Sequence, residues 1–369
     1  MRSRLRFLGM GLTLLALALG LWAGLELIGW PIGSLTEWLP AAHGVLMVNG
    51  VLASLIGIER AVALKRRVFY LAPVLTAAGA IWLGIRGETA VAFDLVTLGA
   101  IVLAAIFGEI LHRQPALYTA VMLVGATCLA GGDLLGAGGL DIPYLIPWWG
   151  SFLILLIAAE RLELSRIVHR TRLDRWTFAI PVALAVAGCL ISVVGPTDGL
   201  FVTASGWLLI AVWLLVHDIA YRNLGRPGLP RFTAVALLPG YGWLLFGSGL
   251  ILRQGGLLPG LTYDAALHSI FLGFVLSLVF AHAPVILPAV LGRPVPFSRV
   301  LYLPLGVLHS SLALRIYADL AVLPALRTWA GLFNVAAIVG FGVSLLVVLV
   351  LERSSYGAAR RSDVSAFFP

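Results

Sequence analysis

Four of the seven histidines lie within long apolar runs of the sequence: His43, His268, His282 and His309. An ionisable side chain inside a bilayer carries a large desolvation cost, so each of these residues is a functional candidate. The other three, His112, His169 and His217, lie at the ends of apolar runs or in a basic loop, where an imidazole reaches water or the membrane interface. The candidate chemistry of this chain therefore begins with the four buried histidines.

His43 and His268 are the pair with the clearest geometric relation. Each lies about five or six residues into a predicted helix, counted from the outer side of the membrane. Because a helix rises about 1.5 Å per residue, both imidazoles are expected roughly 8 Å inside the outer boundary. Two imidazoles at one depth on neighbouring helices match the axial ligands of a haem iron. We therefore predict a b-type haem between His43 and His268.

Two charged residues are expected beside this haem. Asp264 precedes His268 by four residues and shares its helix face, so its carboxylate can accept the second ring N–H and orient the imidazole. Arg315 lies near the outer end of a later helix and is a candidate partner for a haem propionate. Asp319 follows Arg315 by four residues, and an ion pair within that helix is the alternative.

Small residues recur along both histidine-bearing helices at near-helical spacing: Gly50, Ser54 and Gly57 on one, and Ser269, Gly273 and Ser277 on the other. Such a stripe lets a flat ring approach closely. It equally lets a second helix approach, which is the commoner use of small residues in membranes.

His282 and His309 are candidate ligands for a second metal, or members of a proton path. His282 follows His268 by fourteen residues and precedes two prolines, Pro284 and Pro288, which free backbone carbonyls. His309 lies near the middle of the next predicted helix. The alternative is that both imidazoles are polar contacts between helices.

Helices in a membrane must position all of these residues. The chain is 60% hydrophobic and 11% charged, whereas soluble domains carry about 25% charged residues. Apolar stretches of roughly 18 residues or more recur throughout, so we predict an all-α, polytopic bundle forming one integral membrane domain over residues 1–369. The predicted helices cover residues 7–30, 38–64, 69–85, 89–111, 115–136, 142–164, 174–194, 198–221, 230–252, 262–290, 300–320 and 326–351.

The loop charges predict the orientation of this twelve-helix bundle. The net charge of +8 comes from short loops, which indicates membrane orientation and argues against a nucleic-acid partner. Only Arg86, Arg253 and Arg327 fall on the outer side if both termini are cytoplasmic, so we expect a multi-pass protein of the inner (plasma) membrane. The basic residues then placed inside are Arg2, Arg4, Arg6, Lys65, Arg66, Arg67, Arg113, Arg166, Arg170, Arg172, Arg175, Arg222, Arg226, Arg231, Arg293, Arg299, Arg353, Arg360 and Arg361.

A weak internal repeat relates the second and sixth predicted helices. The former ends in Glu59-Arg60 and the latter in Glu160-Arg161, each preceded by similar apolar residues. A further step of four helices reaches the helix that bears His268 and His282, so three units of four helices are a possible architecture. The alternative is that Glu-Arg is a common cytoplasmic helix end, where it forms interfacial ion pairs.

Several of these segments are similar to the NnrS family of twelve-helix membrane proteins, which are linked to nitric oxide stress and carry haem and copper. The similar segments are Ala265-Ala266-Leu267-His268 followed by Gly273; His43, Met47 and Gly50 in the pattern H-x3-M-x2-G; and Leu314-Arg315 with Trp329-Ala330 and Phe333. The resemblance covers about a third of the chain. It implies a haem protein that responds to nitric oxide or a related gas.

More distantly, the chain resembles subunit I of haem-copper oxidases, in which histidines on helices 2 and 10 hold a low-spin haem. The copper centre of those proteins needs histidines on helices 6 and 7, which are absent here. The NnrS-type Gly-His-Thr-Gly-Arg loop is also reduced to Leu291-Gly292-Arg293-Pro294. The resemblance therefore favours haem and argues against copper and against oxygen reduction.

Three functions remain open from the sequence. The first is a haem protein that acts in electron transfer, with a redox partner, or in handling a small gas ligand. The second is a secondary transporter or channel, which twelve helices and Gly/Pro-interrupted segments would suit, although Asn49, Asn334 and His309 are the only strongly polar residues placed near the midplane. The third is a scaffold subunit of a larger membrane complex. No catalytic residue is predicted, and the sequence does not indicate an oligomeric state.

Overall fold

The computed structural model describes residues 2–165, 172–255, 259–292 and 295–365. Residues named above that fall outside this part are Arg166, His169, Arg170, Arg293 and Pro294. Arg166, Arg170 and Arg293 contribute positive charge to the predicted orientation, and this part of the loop charge therefore lies outside the described residues.

The described residues form an all-helical protein, and twelve of its helices are long and apolar enough to cross a membrane, which confirms the predicted fold class. Helices are the expected outcome because a chain in lipid must satisfy its backbone hydrogen bonds within each spanning segment. We label these helices in chain order as α1 (Arg4–Leu27), α2 (His43–Leu64), α3 (Arg67–Arg86), α4 (Thr89–Arg113), α5 (Leu117–Ala137), α6 (Ile142–Leu164), α7 (Leu173–Ser192), α8 (Pro196–His217), α9 (Leu229–Gln254), α10 (Leu261–Leu291), α11 (Arg299–Leu320) and α12 (Pro324–Val350).

The start of α2 differs from the sequence prediction by five residues. The prediction began this helix at residue 38, but the chain forms turns up to residue 42, and His43 is the first residue of the helix. Pro40 explains the difference, because a proline lacks the N–H that would continue a helical ladder, while its carbonyl accepts from the His43 N–H at 3.2 Å. His43 therefore lies at the very end of α2, whereas His268 lies eight residues into α10.

α2, α6 and α10 form the centre of the bundle. α6 is the most buried of the twelve helices and α2 is next, whereas α1 and α12 are the least buried. α10 packs against both α2 and α6, and the remaining helices surround these three, largely by packing against their neighbours in the chain. Three helices at intervals of four in the sequence thus meet at the core.

One end of the bundle, which we call the histidine end, is where α2 and α10 begin. There the segment after α1 is fastened to the start of α12. The Trp30 indole N–H donates to the Thr328 carbonyl at 3.0 Å, and the Thr328 hydroxyl donates to the Ile28 carbonyl at 2.9 Å. The Trp30 ring also meets Trp329 edge to face. These contacts join the first and last helices across the bundle.

The opposite end, which we call the glutamate end, carries ion pairs between helices. Arg60 of α2 pairs with Glu160 of α6 and lies 3.5 Å from Glu59. Arg161 makes two hydrogen bonds, of 2.6 and 2.9 Å, to the carboxylate of Asp218, which follows α8. The two Glu-Arg sequences therefore form ion pairs, as one of the two sequence interpretations expected, although the Arg161 side chain is only 3% exposed and so is buried in the protein.

Candidate functional site

The structure brings the imidazole rings of His43 and His268 close together at the histidine end. Their ring centres are 6.5 Å apart, and their planes are inclined by 22°. Both residues line one cavity.

Each ring is held through Nδ1. The Nδ1 of His43 lies 2.9 Å from the carbonyl oxygen of Gly20 in α1, and that of His268 lies 2.9 Å from the carbonyl of Asp264. A carbonyl oxygen can only accept, so Nδ1 is the protonated nitrogen in both residues. Nε2 is then the nitrogen that carries the free lone pair, and in neither ring does it have a hydrogen-bond partner within the described part of the chain.

Asp264 contacts His268 as the sequence predicted, with 3.2 Å between Oδ1 and Nδ1. The carboxylate also has a stronger partner. Arg315 of α11 makes two hydrogen bonds to it, each 3.0 Å long. Neither sequence interpretation of Arg315 anticipated this pair, because a contact between α10 and α11 leaves no trace in local spacing.

The charge cluster extends to α12. Arg327 lies 3.4 Å from Asp264 and donates through Nε to Asp319 at 2.7 Å. Asp319 thus pairs with Arg327 rather than with Arg315 on its own helix. Two carboxylates and two guanidinium groups balance in charge, while Oδ2 of Asp319 is buried and has no hydrogen-bond partner among the described residues.

The cavity that both histidines line has a volume of about 310 Å³. This size falls within the range of small-molecule and cofactor sites. Its walls are mainly apolar, with Met47, Trp149 and Phe271 among them, and Asp264, Arg315 and Arg327 line one side. An apolar slot with charged groups along one side suits a flat, largely apolar molecule that carries carboxylates.

Both histidines are followed by a segment of π-helix, which sequence reasoning missed. Leu46–Ala53 in α2 and Ser269–Leu276 in α10 each form eight residues of the wider i→i+5 helix. π-Segments in membrane and soluble helices are often found at functional sites, where they change the direction of the preceding side chains. No residue pattern signals them, because the hydrogen-bond shift costs little and depends on the neighbouring helices.

The small-residue stripes serve helix packing. A methyl group on Gly50 would lie 2.8 Å from Ala16 of α1, and one on Gly273 would lie 2.5 Å from Trp243 of α9. Neither of these glycines lines the cavity. At these two positions the stripes bring helices together, as one of the two sequence interpretations expected.

His282 and His309 lie in different surroundings. His282 is near the glutamate end, within electrostatic range of Glu59, Arg60 and Arg161. His309 accepts a hydrogen bond from the Trp243 indole at 3.0 Å in a groove between α9 and α11. In the described part of the chain no contact joins the two histidines, so the structure does not bring together the predicted second metal site.

Asp133 of α5 is a buried acid that the sequence reasoning did not single out. It is 0% exposed, and its Oδ1 accepts from the Asn49 amide at 3.1 Å and from the Trp149 indole at 2.8 Å. The signal was available, since an aspartate within a predicted membrane helix is a candidate by itself.

A bare metal ion has no evident site. Among the described residues no group of three or more histidine, cysteine, aspartate or glutamate side chains is arranged to hold one. Two histidines are too few for a bare ion but suffice for a haem, because the porphyrin brings four nitrogen ligands of its own. The two imidazole Nε2 atoms would be the protein's part of that coordination.

A comparison with protein families matches residues 4–350 to a family described as "Domain of unknown function (DUF8744)". The matched region contains all twelve membrane helices and both histidines of the cavity. No curated protein matches the chain. The function therefore has to be argued from the geometry of this site.

Proposed function

We propose that this chain, which belongs to the family described as a domain of unknown function (DUF8744), is a membrane haem protein whose haem is held by His43 and His268. One observation carries the proposal. A metal–imidazole bond is about 2.0–2.1 Å long and the ring centre lies roughly 1.1 Å behind the bonded nitrogen, so two axial imidazoles have ring centres about 6.2 Å apart. The separation of 6.5 Å between these two rings is close to that value.

The surroundings of the pair support a haem in three further ways. Both Nδ1 atoms are already hydrogen-bonded, which orients the imidazoles and leaves Nε2 for a metal. The walls of the cavity are mainly apolar. Arg315 and Arg327 are near enough to one side to receive the carboxylates of a b-type haem, sharing them with Asp264.

A haem supplies a one-electron couple or, with one axial position open, a site for a diatomic gas. The protein decides between these uses by how firmly it holds each histidine. His268 is held by a carbonyl and by the carboxylate of Asp264, which makes the imidazole a stronger ligand. His43 has only the Gly20 carbonyl. With both in place the chemistry is electron transfer; if a gas such as nitric oxide is handled, His43 is the ligand expected to detach.

The proposal is tested by the absorption spectrum of purified protein, oxidised and reduced. We expect a Soret band that is lost in His43→Ala and in His268→Ala. His309→Ala and His112→Ala serve as matched controls, because both lie away from the cavity, and they should keep the band. A folded, colourless protein isolated from haem-replete cells would contradict the proposal. The remaining candidate functions would then be a transporter or a scaffold subunit.

A further inference from the structure

Asp133 lies in the protein interior with no charged partner among the described residues. The side chain is fully buried in α5, and Oδ1 takes both of its hydrogen bonds, from Asn49 and Trp149. Oδ2 is buried and has no partner among the described residues, and the same holds for Oδ1 of Asn49. The Asp133 carboxyl group and the Asn49 amide, which already share one hydrogen bond between α5 and α2, therefore each keep one buried oxygen without a partner among the described residues.

No charged group in the described residues compensates Asp133. α2 presents Asn49, α6 presents Trp149, and α4 presents Phe93 beside the next turn of α5, at Gly136. α7 contributes Cys189, which bonds to Ser151 and to the Pro147 carbonyl. An isolated carboxylate in such surroundings pays a large desolvation cost, so it must bind a proton or find a positive charge nearby.

The proposed haem cavity adjoins Asp133 through Trp149 and could hold such a charge. Trp149 donates to Asp133 and also lines the cavity beside His43. Asn49 follows His43 by six residues in the same helix, which places the amide within roughly 10 Å of that histidine along the axis. A ferric haem core with two neutral imidazoles carries one positive charge, and a ferrous core carries none. The charge that could balance Asp133 thus depends on the redox state.

We propose that Asp133 is a redox-linked proton-binding site. This inference rests on the proposed function. With ferric haem the carboxyl group is a carboxylate balanced by the core charge. When a one-electron donor reduces iron(III) to iron(II), that charge disappears, and Oδ2 of Asp133 binds one proton taken up from the bulk solution, with the unpartnered Oδ1 of Asn49 as a candidate acceptor for the resulting O–H. Oxidation returns the electron to an acceptor and the proton to water.

The first test uses haem-free protein from haem-depleted cells. Without a core charge, Asp133 must be protonated. The infrared spectrum should then show a carboxylic acid C=O band that shifts in D₂O, is lost in Asp133→Asn and persists in Asp94→Asn, whose side chain is exposed on α4. Trp149→Phe keeps the carboxyl group but removes one donor, and it should shift the band. Absence of the band from haem-free wild-type protein would overturn the inference.

The second test uses haem-loaded protein. Reduction should produce the same band and take up protons from an unbuffered solution, and the midpoint potential should fall as pH rises. Asp133→Asn should keep its Soret band but lose the band change and the associated proton uptake. Equal uptake in wild type and Asp133→Asn would overturn the inference while leaving the haem in place. Absence of any Soret band would instead overturn the proposed function, and the redox link with it.

Discussion

At the scale of residues, the two histidines are equivalent in sequence pattern but not in their surroundings. Both project an unbonded Nε2, yet only His268 has an anionic partner at Nδ1. A carboxylate raises the basicity of the opposite ring nitrogen, so the two axial ligands differ in strength. Asp264 is therefore a positioning residue, and its contacts with Arg315 and Arg327 fix the carboxylate in turn.

Removing the charge of Asp264 is expected to weaken the haem site without unfolding the protein. Asp264→Asn should lower the affinity for haem by about 10–100-fold, as is common for loss of a partner behind a ligating histidine. It should also raise the midpoint potential, because a less basic His268 stabilises ferric iron less. Titration of haem-free protein with hemin and a redox titration measure the two effects.

Glu37→Gln is the matched control, since Glu37 is an exposed carboxylate on the loop that leads to α2. Unchanged affinity and potential in Asp264→Asn would show that the contact with His268 has no role in haem binding. Loss of folding would appear in the elution volume of the purified protein, which the control should share with wild type.

At the scale of elements, α2 and α10 have in common a histidine near the start and a π-segment after it, and α6 lacks both. Each begins at the histidine end, places a histidine within its first eight residues and continues as a π-segment. α6 shares the Glu-Arg ending of α2 but has neither a histidine near its start nor a π-segment. The correspondence therefore holds for the two helices that carry the histidines. Three units of four helices remain a prediction.

The contact between α9 and α10 fixes the position of the second histidine helix. A methyl group on Gly247 would lie 2.8 Å from Ile270 and 2.9 Å from the Ala266 carbonyl, whereas one on Gly249 would meet nothing within 4 Å. Overpacking of a tight helix contact costs about 1–3 kcal/mol. Gly247→Ala should therefore lower the melting temperature in detergent.

Gly249→Ala is the control within the same helix. Alanine is a better helix former than glycine by up to about 1 kcal/mol, so this variant should be neutral or slightly more stable than wild type. Equal melting temperatures for the two variants would mean that α9 and α10 do not approach each other as closely as described.

At the scale of the whole molecule, polar groups concentrate at the two ends and around Asp133. The histidine end carries the cluster of Asp264, Arg315 and Arg327, and the glutamate end carries Arg60 with Glu160 and Arg161 with Asp218. The glutamate-end pairs join segments that are distant in the sequence, whereas the histidine-end cluster joins the consecutive helices α10, α11 and α12. Such ion pairs hold their helices in register, because breaking one leaves a buried charge unpaired.

The orientation of the bundle is a prediction of the loop charges, which place the histidine end outside. A reporter fused after Pro369 is expected to read cytoplasmic, and one inserted after Gly33, between α1 and α2, is expected to read external. The opposite result at both positions would reverse the bundle and move the haem site to the cytoplasmic side. Cytoplasmic signals from both would mean that one of the helices α2–α12 does not cross the membrane, because eleven crossings place the two positions on opposite sides.

The amino-acid sequence by itself determined the membrane class and the twelve helices, because apolar length is a local quantity. It also predicted His43 beside His268, although from helix positions that differ from the observed ones: His43 is the first residue of α2 and His268 the eighth of α10. Only the tertiary structure decided the start of α2, the partner of Arg315, the π-segments and the environment of Asp133. These depend on which helices touch, and contact between distant segments is set by packing of the whole bundle. The haem and its redox role are proposals, and their principal support is the 6.5 Å separation between the ring centres of two hydrogen-bonded imidazoles. The resemblance to NnrS-like proteins rests on the sequence segments alone.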